Sequence, residues 1–181
     1  MRILRLLPPA ASLLLAAITA RAATDEDVAA ATLTRVGDPA PTFAAQSITG
    51  ETWDSAKLGG KVVVLSLFAT WCPPCNAELP HIEKELWQAY RNRGLIVLAA
   101  AREEGFDKLQ PFAKKLGLTF PLLTDPKREV FNKFARNFIP RLYVIGADGR
   151  IMFQTVGFRK DEFKSVVAAV ERELAAIEAK K

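Results

Sequence analysis

The apolar residues of this chain follow two different patterns, and each pattern predicts a different kind of element. Residues 61–69 and 95–101 are nearly continuous runs of apolar and β-branched side chains, which are typical of strands buried on both faces of a parallel sheet. Residues 73–92 lie between these runs and precede Gly94, a residue type that commonly ends helices. The first half of the chain therefore predicts a strand, a helix and a second strand.

The second half of the chain is built from shorter segments separated by turn residues. Asp148-Gly149 lies between two apolar runs and favours a hairpin of antiparallel strands. Near the end of the chain, apolar residues recur at helical spacing and form one face. The predicted elements are a helix over 106–116, a strand over 119–123, a helix over 128–134, strands over 141–145 and 151–156, and a closing helix with the apolar face Phe163, Val166, Val167, Val170, Leu174 and Ile177.

The order of these elements predicts the fold class. A β-α-β unit is followed by a βα insert and then by β-β-α, and a small hairpin over 43–48 and 51–53 precedes them. This order predicts an α/β domain with a central mixed sheet that is flanked by helices. We place this domain at residues 41–181.

The N-terminal region has a different composition. Basic residues precede an apolar run, and Ala20 and Ala22 provide the small residues that a signal peptidase requires, so residues 1–22 predict a signal peptide. An uncleaved membrane anchor is the alternative, although the run is shorter than the roughly 20 residues that span a bilayer. Residues 23–40 are polar and alanine-rich and predict a flexible linker.

Charge and cysteine content exclude some classes of function and favour others. Without the basic residues of the predicted signal peptide, the 25 Lys and Arg residues nearly balance the 20 Asp and Glu residues, which argues against nucleic-acid binding. The 2 cysteines are Cys72 and Cys75. A disulfide that closes so small a loop restrains the unfolded chain little, so the pair predicts redox chemistry. With His81 as the 1 histidine, we predict no metal site.

The segment around the cysteines resembles a known family. The motifs are Phe68-Ala69-Thr70-Trp71-Cys72-Pro73-Pro74-Cys75, Glu78 and Pro80 in the following helix, Ile139-Pro140 before a strand, and Asp148-Gly149-Arg150-Ile151. Together they resemble the thioredoxin-like superfamily and, within it, the TlpA/ResA group of exported thiol–disulfide oxidoreductases. The resemblance spans about residues 38–178 and implies a thioredoxin fold with a cis peptide bond before Pro140. Two positions depart from the group: Phe138 replaces a common Gly and Arg141 a common Thr. Because we expect both residues to border the cysteines, we expect both to affect substrate preference.

The predicted helix start explains why redox chemistry suits this segment. Cys72 faces unpaired backbone N–H groups and the positive end of the helix dipole, which favour its thiolate. Pro73 and Pro74 carry no N–H group, so the amides of Cys75 and Asn76 remain as the main donors to the Cys72 sulfur. We therefore expect modest thiolate stabilisation, with Cys72 as the nucleophile and Cys75 as the resolving thiol.

Five further residues complete the predicted site. Glu78 lies on the same helical face as Cys75, where it can carry protons to and from the sulfurs; the alternative is a carboxylate that only complements the helix dipole. Ser66 occupies a position where many thioredoxins have a buried acid. The absence of that acid shifts any role in proton relay toward Glu78. The resemblance implies that Trp71, Pro73, Ile139 and Pro140 contact the substrate.

The sequence thus predicts a protein-disulfide reductase that acts on exported proteins in the periplasm as a monomer. By resemblance, its substrates are apocytochrome c or copper-site assembly proteins, and a membrane thiol carrier supplies the electrons. No cofactor is expected beyond the redox-active Cys72–Cys75 disulfide. Two alternatives remain: a thiol peroxidase, which needs a Thr- and Arg-bearing pocket around its cysteine, and a chaperone that binds Cu(I) through the two thiolates.

Overall fold

The computed structural model describes residues 23–179, so the predicted signal peptide at residues 1–22 lies outside the described residues. Its strands form a small antiparallel hairpin and a larger mixed sheet with the order β5-β4-β3-β6-β7. β3 pairs in parallel with β4 and antiparallel with β6. The strands are β1 (Ala44–Gln46), β2 (Thr52–Asp54), β3 (Val63–Phe68), β4 (Ile96–Arg102), β5 (Leu122–Asp125), β6 (Arg141–Ile145) and β7 (Ile151–Val156).

Helices connect these strands and cover both faces of the sheet. A π-helical turn, Ile82–Trp87, follows α2, so the helix predicted over residues 73–92 is helical throughout but changes its hydrogen-bond spacing. No helix in residues 23–179 is long and apolar enough to cross a membrane. The helices are α1 (Asp25–Ala30), α2 (Pro73–His81), α3 (Gln88–Tyr90), α4 (Phe106–Leu116), α5 (Phe131–Phe134) and α6 (Lys160–Glu178).

Two apolar layers result because the sheet is covered on both faces. Alternate residues of β3 point to opposite faces, so Val64 and Phe68 pack with α2 and α6, whereas Leu65 and Leu67 pack with α5. All six residues of β3 are buried, as the continuous apolar run predicted. The predicted fold class, a mixed sheet flanked by helices with an N-terminal hairpin, is confirmed.

The region between α4 and β6 differs from the prediction in its boundaries. The strand predicted over 119–123 begins three residues later, since the amide of Thr119 is bound by the carboxylate of Glu83 and Pro121 has no N–H group to donate. The helix predicted over 128–134 is confined to α5, where the Asp125 carboxylate accepts the N–H groups of Val130 and Phe131. Polar side chains from other elements therefore set these boundaries.

The span predicted as a flexible linker begins with the short helix α1 and is hydrogen-bonded to the domain from Ala31 onward. Thr24 caps α1 through a reciprocal hydrogen-bond pair with Asp27. Thr32 then forms an isolated antiparallel bridge with Ala135. Further along, Gly37 N–H donates to the carbonyl of Ile151 at 2.8 Å. Composition alone did not reveal these contacts because they join the segment to residues far away in the sequence.

Candidate active site

Cys72 and Cys75 form a disulfide at the start of α2, with their Cα atoms 5.3 Å apart. Cys72 is the N-cap residue and Pro73 is the first residue of the helix. Proline suits this position because the first N–H groups of a helix have no intrahelical partner and its φ angle is already helical. The local sequence therefore places both sulfurs at the positive end of α2.

The Cys72 sulfur has one identified donor in the helix. The N–H of Cys75 donates to Cys72 Sγ at 3.3 Å. The prediction that the Asn76 amide also donates to the sulfur is wrong, because this N–H donates to the carbonyl oxygen of Cys72 at 3.0 Å as the first i to i−4 bond of the helix. In the reduced state the Cys72 thiolate would occupy the place of this sulfur, with the Cys75 amide as its nearest helical donor.

Glu78 is buried behind the disulfide, with 1% of its surface exposed. Its carboxylate accepts a hydrogen bond from Ser66 Oγ at 3.2 Å, and burial, which this bond opposes, raises the pKa of Glu78 to about 8. The side chain also lines a narrow cleft with Phe158 and Phe163. Glu78 therefore differs from an exposed acid at a helix start, because burial favours its protonated form.

A second buried carboxylate holds the loop before Cys72, and the sequence did not point to it. Glu104, 2% exposed, accepts the N–H of Thr70 at 2.7 Å and the hydroxyl of Thr70 at 2.6 Å. The carbonyl of Thr70 in turn accepts the side-chain amide of Asn76 at 3.0 Å. These bonds fix the backbone that enters the Cys-x-x-Cys segment.

Trp71 lies next to Cys72 on the surface and is 58% exposed. The guanidinium of Arg102 lies over its ring, 5.6 Å from the centroid, a distance at which a cation is attracted to the face of an indole. Pro73 is also exposed. The predicted contact residues Trp71 and Pro73 thus form an open apolar surface beside the cysteines.

The loop before β6 faces the disulfide from the other side. The peptide bond between Ile139 and Pro140 is cis, as the resemblance implied. The carbonyl oxygen of Ile139 lies 3.9 Å from Cys72 Sγ. Arg141 follows Pro140, and its side chain is fully buried, whereas the sequence predicted that it would border the cysteines; it points away from them toward the loop backbone.

The single histidine of the chain, His81, contacts neighbouring side chains. His81 Nδ1 lies 2.5 Å from Glu85 Oε1, and its ring packs between those of Phe158 and Phe163. Across residues 23–179, no group of three or more His, Cys, Asp or Glu side chains could hold a metal ion. His81 is therefore part of the contact between α2 and α6.

The mixed sheet, the Cys-x-x-Cys disulfide at the start of the helix after its central strand, and the cis-proline facing it define a thioredoxin-fold thiol–disulfide oxidoreductase. The model of the AhpC/TSA family matches residues 36–154. The chain belongs to this family, and the predicted resemblance to thioredoxin-like oxidoreductases of the ResA type is confirmed by curated relatives.

Relatives and solved structures support the same enzyme class. The thiol-disulfide oxidoreductase ResA of Halalkalibacterium halodurans is 32% identical over 120 residues, which cover 66% of this chain and 68% of that protein. A candidate protein disulfide isomerase from Bacteroides thetaiotaomicron superposes with a TM-score of 0.77 at 33% identity, over 80% of this chain and 93% of that one. A secreted Mycobacterium tuberculosis disulfide oxidoreductase, homologous to DsbE, gives a TM-score of 0.60 at 28% identity, over 70% of this chain and 95% of that one.

Proposed function

We propose that this thiol–disulfide oxidoreductase reduces disulfides in exported proteins through a mixed disulfide with Cys72. The observation that carries the proposal is the position of the pair: Cys72 is the N-cap of α2, next to exposed Trp71, and its sulfur lies beside the carbonyl of Ile139. A substrate sulfur that approaches between these two groups meets Cys72 before Cys75. Cys72 is therefore the nucleophile.

The reaction consists of two exchange steps. The Cys72 thiolate attacks one sulfur of the substrate disulfide, forms a mixed disulfide and releases the other substrate sulfur as a thiolate. Cys75 then loses its proton and attacks Cys72 Sγ, which closes the Cys72–Cys75 disulfide and releases the second substrate thiolate. The substrate gains two electrons and two protons, and the enzyme dithiol loses them.

Glu78 supplies the proton transfer that the second step requires. Cys75 and Glu78 share one face of α2, and the raised pKa of Glu78, about 8, is close to that of an ordinary thiol. In its ionised form Glu78 is the group that accepts the proton of Cys75.

The substrate lies across the Ile139–Pro140 bond. The backbone before a cis-proline offers a free carbonyl and N–H to an extended peptide, in the manner of an added strand, and Trp71 and Pro73 supply apolar contact. A reductase built in this way recognises backbone and exposed apolar side chains more than a particular sequence. It can therefore accept apocytochrome c or a copper-site assembly protein.

The predicted signal peptide and the described relatives support a periplasmic site of action. One similar structure is of a secreted disulfide oxidoreductase. In an oxidising compartment a reductase needs electrons from elsewhere, and a membrane thiol carrier that reduces Cys72–Cys75 after each cycle supplies them. The enzyme works as a monomer with no cofactor beyond its own disulfide.

The reduction potential of the Cys72–Cys75 couple tests the direction of electron flow. The exported chain is equilibrated with glutathione or dithiothreitol buffers, and the free thiols are alkylated and counted by mass spectrometry. A value near the roughly −270 mV of thioredoxin supports a reductase. A value near the roughly −120 mV of a dedicated oxidant means that the protein makes disulfides and overturns the proposal.

Trapping the intermediate tests the assignment of the two sulfurs. Cys75→Ser removes the resolving thiol, so it should accumulate a mixed disulfide between Cys72 and the substrate. Cys72→Ser is the matched control and should form no such adduct. If Cys72→Ser accumulates the adduct instead, the roles of the two cysteines are reversed.

Peroxide consumption by the reduced wild type without substrate would favour the thiol peroxidase alternative.

A further inference from the structure

Arg141 is a fully buried arginine directly behind the substrate-binding loop. Its Nε donates to the carbonyl oxygens of Asn137 and Phe138, both at 3.0 Å, and its Nη1 donates to Thr32 Oγ1 at 2.9 Å. These acceptors are neutral oxygens. Burying a guanidinium is unfavourable in free energy unless it is well hydrogen-bonded. A buried cation that donates to two carbonyls of this loop therefore indicates that the position of the loop matters.

The loop that Arg141 holds has an unfavourable backbone conformation. Phe138 has a φ angle of 64°, in the left-handed region that residues with a side chain rarely adopt. Such a conformation persists only when surrounding contacts determine it. Ile139 follows directly, and its carbonyl lies 3.9 Å from Cys72 Sγ. The hydrogen bonds to the carbonyls of residues 137 and 138 therefore fix the backbone that faces the reactive sulfur.

Thr32 links Arg141 to the segment that precedes the domain. Its hydroxyl donates to the carbonyl of Val28 at 2.7 Å and accepts from Arg141, so its oxygen is held from both sides. The same segment binds the loop backbone: Leu33 N–H donates to Phe134 O at 3.0 Å, and Arg136 N–H donates to Ala31 O at 2.8 Å. The residues after α1 thus brace the loop on the side away from the cysteines.

We propose that Arg141 is a positioning residue for substrate binding and that Thr32 orients it, so that the segment after α1 sets the affinity of the Ile139–Pro140 loop for polypeptide disulfides. This inference rests on the proposed function, because it assumes that substrates lie across this loop. Arg141 and Thr32 do not touch the reacting sulfurs. Loss of their contact should weaken binding of an extended peptide and leave the chemistry of Cys72 intact.

The test compares a peptide with a small disulfide in single turnovers of the pre-reduced protein. The probes are a synthetic peptide that carries one intramolecular disulfide and the small aromatic disulfide DTNB, which is too short to lie across the loop. For Thr32→Val we expect the half-saturating peptide concentration to rise about threefold to tenfold, the effect of one lost hydrogen bond. The limiting rate with the peptide should stay the same, and the peptide rate relative to DTNB should fall accordingly.

Two variants separate positioning from simple stabilisation. Thr32→Ser keeps the hydroxyl and should restore the half-saturating concentration to the wild-type value. Thr119→Val is the matched control, since it also removes a hydrogen-bonded threonine hydroxyl, but one that bonds to Glu83 in the π-helical turn; it should leave the ratio of peptide to DTNB rates unchanged.

Each other outcome overturns the inference in a distinct way. If Thr32→Val lowers the melting temperature and leaves the half-saturating concentration unchanged, Thr32 only stabilises the fold. If Thr119→Val has the same effect as Thr32→Val, the effect does not pass through Arg141. If the wild type reduces DTNB but not the peptide, the proposed function itself fails, and no role in substrate binding remains for Arg141.

Discussion

Glu78 and Glu104 are two buried glutamates near the active-site segment, and they receive different hydrogen bonds. Glu104 accepts a backbone N–H and a hydroxyl from Thr70, at 2.7 and 2.6 Å. Glu78 accepts a hydroxyl from Ser66 at 3.2 Å, and burial raises its pKa to about 8. The same side chain at similar burial therefore anchors a loop where two donors bind it, whereas burial dominates and raises its pKa where a single hydroxyl does.

The largest expected effect is on stability, from Glu104→Ala. The variant removes both hydrogen bonds to Thr70 and leaves its N–H without an acceptor, so we expect a loss of about 3 kcal/mol in the free energy of unfolding. Urea denaturation of the oxidised protein measures it. Glu104→Gln is the control, since its amide oxygen can still accept the N–H of Thr70. A loss below about 0.5 kcal/mol for the alanine variant would contradict the role of Glu104 as an anchor of the loop.

Glu78→Gln should change the kinetics instead. Without a group that accepts the Cys75 proton, we expect disulfide exchange at neutral pH to slow by about 10²-fold, and the inflection near pH 8 in the rate profile to disappear. Stopped-flow reduction of a peptide disulfide across pH measures both. Glu104→Gln should keep the inflection, and its loss in that variant would show that the two carboxylates are not functionally separate.

The stability of the oxidised protein should also depend on Glu78 through pH. Its pKa rises from 4.5 to about 8 on folding, so between these values the folded state binds more protons than the unfolded state. The free energy of unfolding therefore falls as pH rises from about 5 to about 8. Relative to Glu78→Gln, we expect the wild type to lose on the order of 3 kcal/mol across this range. Parallel stability curves for the two proteins would contradict the raised pKa.

The smallest expected effect comes from Ser66→Ala. The hydroxyl of Ser66 stabilises the ionised form of Glu78, so its removal should raise the pKa of Glu78 further, by about 0.5 to 1 unit. A shift of the kinetic inflection to higher pH, or an NMR titration of the carboxyl carbon, measures it. Thr70→Val is the control because it removes a hydroxyl bonded to Glu104. An equal shift in both variants would point to a general change in the loop.

Much of the site could be predicted because its residues lie close together in the sequence. Cys72, Cys75 and Glu78 were predicted to meet because the residues lie within two turns of one helix, whose start is marked by Pro73. The partner of Glu78 was not predicted, although Ser66 was noted, because their contact depends on how α2 packs on β3. No sequence pattern pointed to Glu104, since it lies 34 residues from Thr70 in sequence.

The sequence by itself determined which elements this protein forms and in what order: apolar runs specify the buried strands, and residues such as Pro73 and Gly94 mark the start and the end of the helical segment between β3 and β4. These signals are local, because backbone hydrogen bonds in a helix and side-chain alternation in a strand involve neighbouring residues. Only the tertiary structure decided which distant side chains meet. Arg141 and Thr32 are 109 residues apart, and they touch because the chain that follows α1 is hydrogen-bonded to Phe134 and Arg136, shortly before β6. No local pattern encodes such a contact, since strand order and packing decide it.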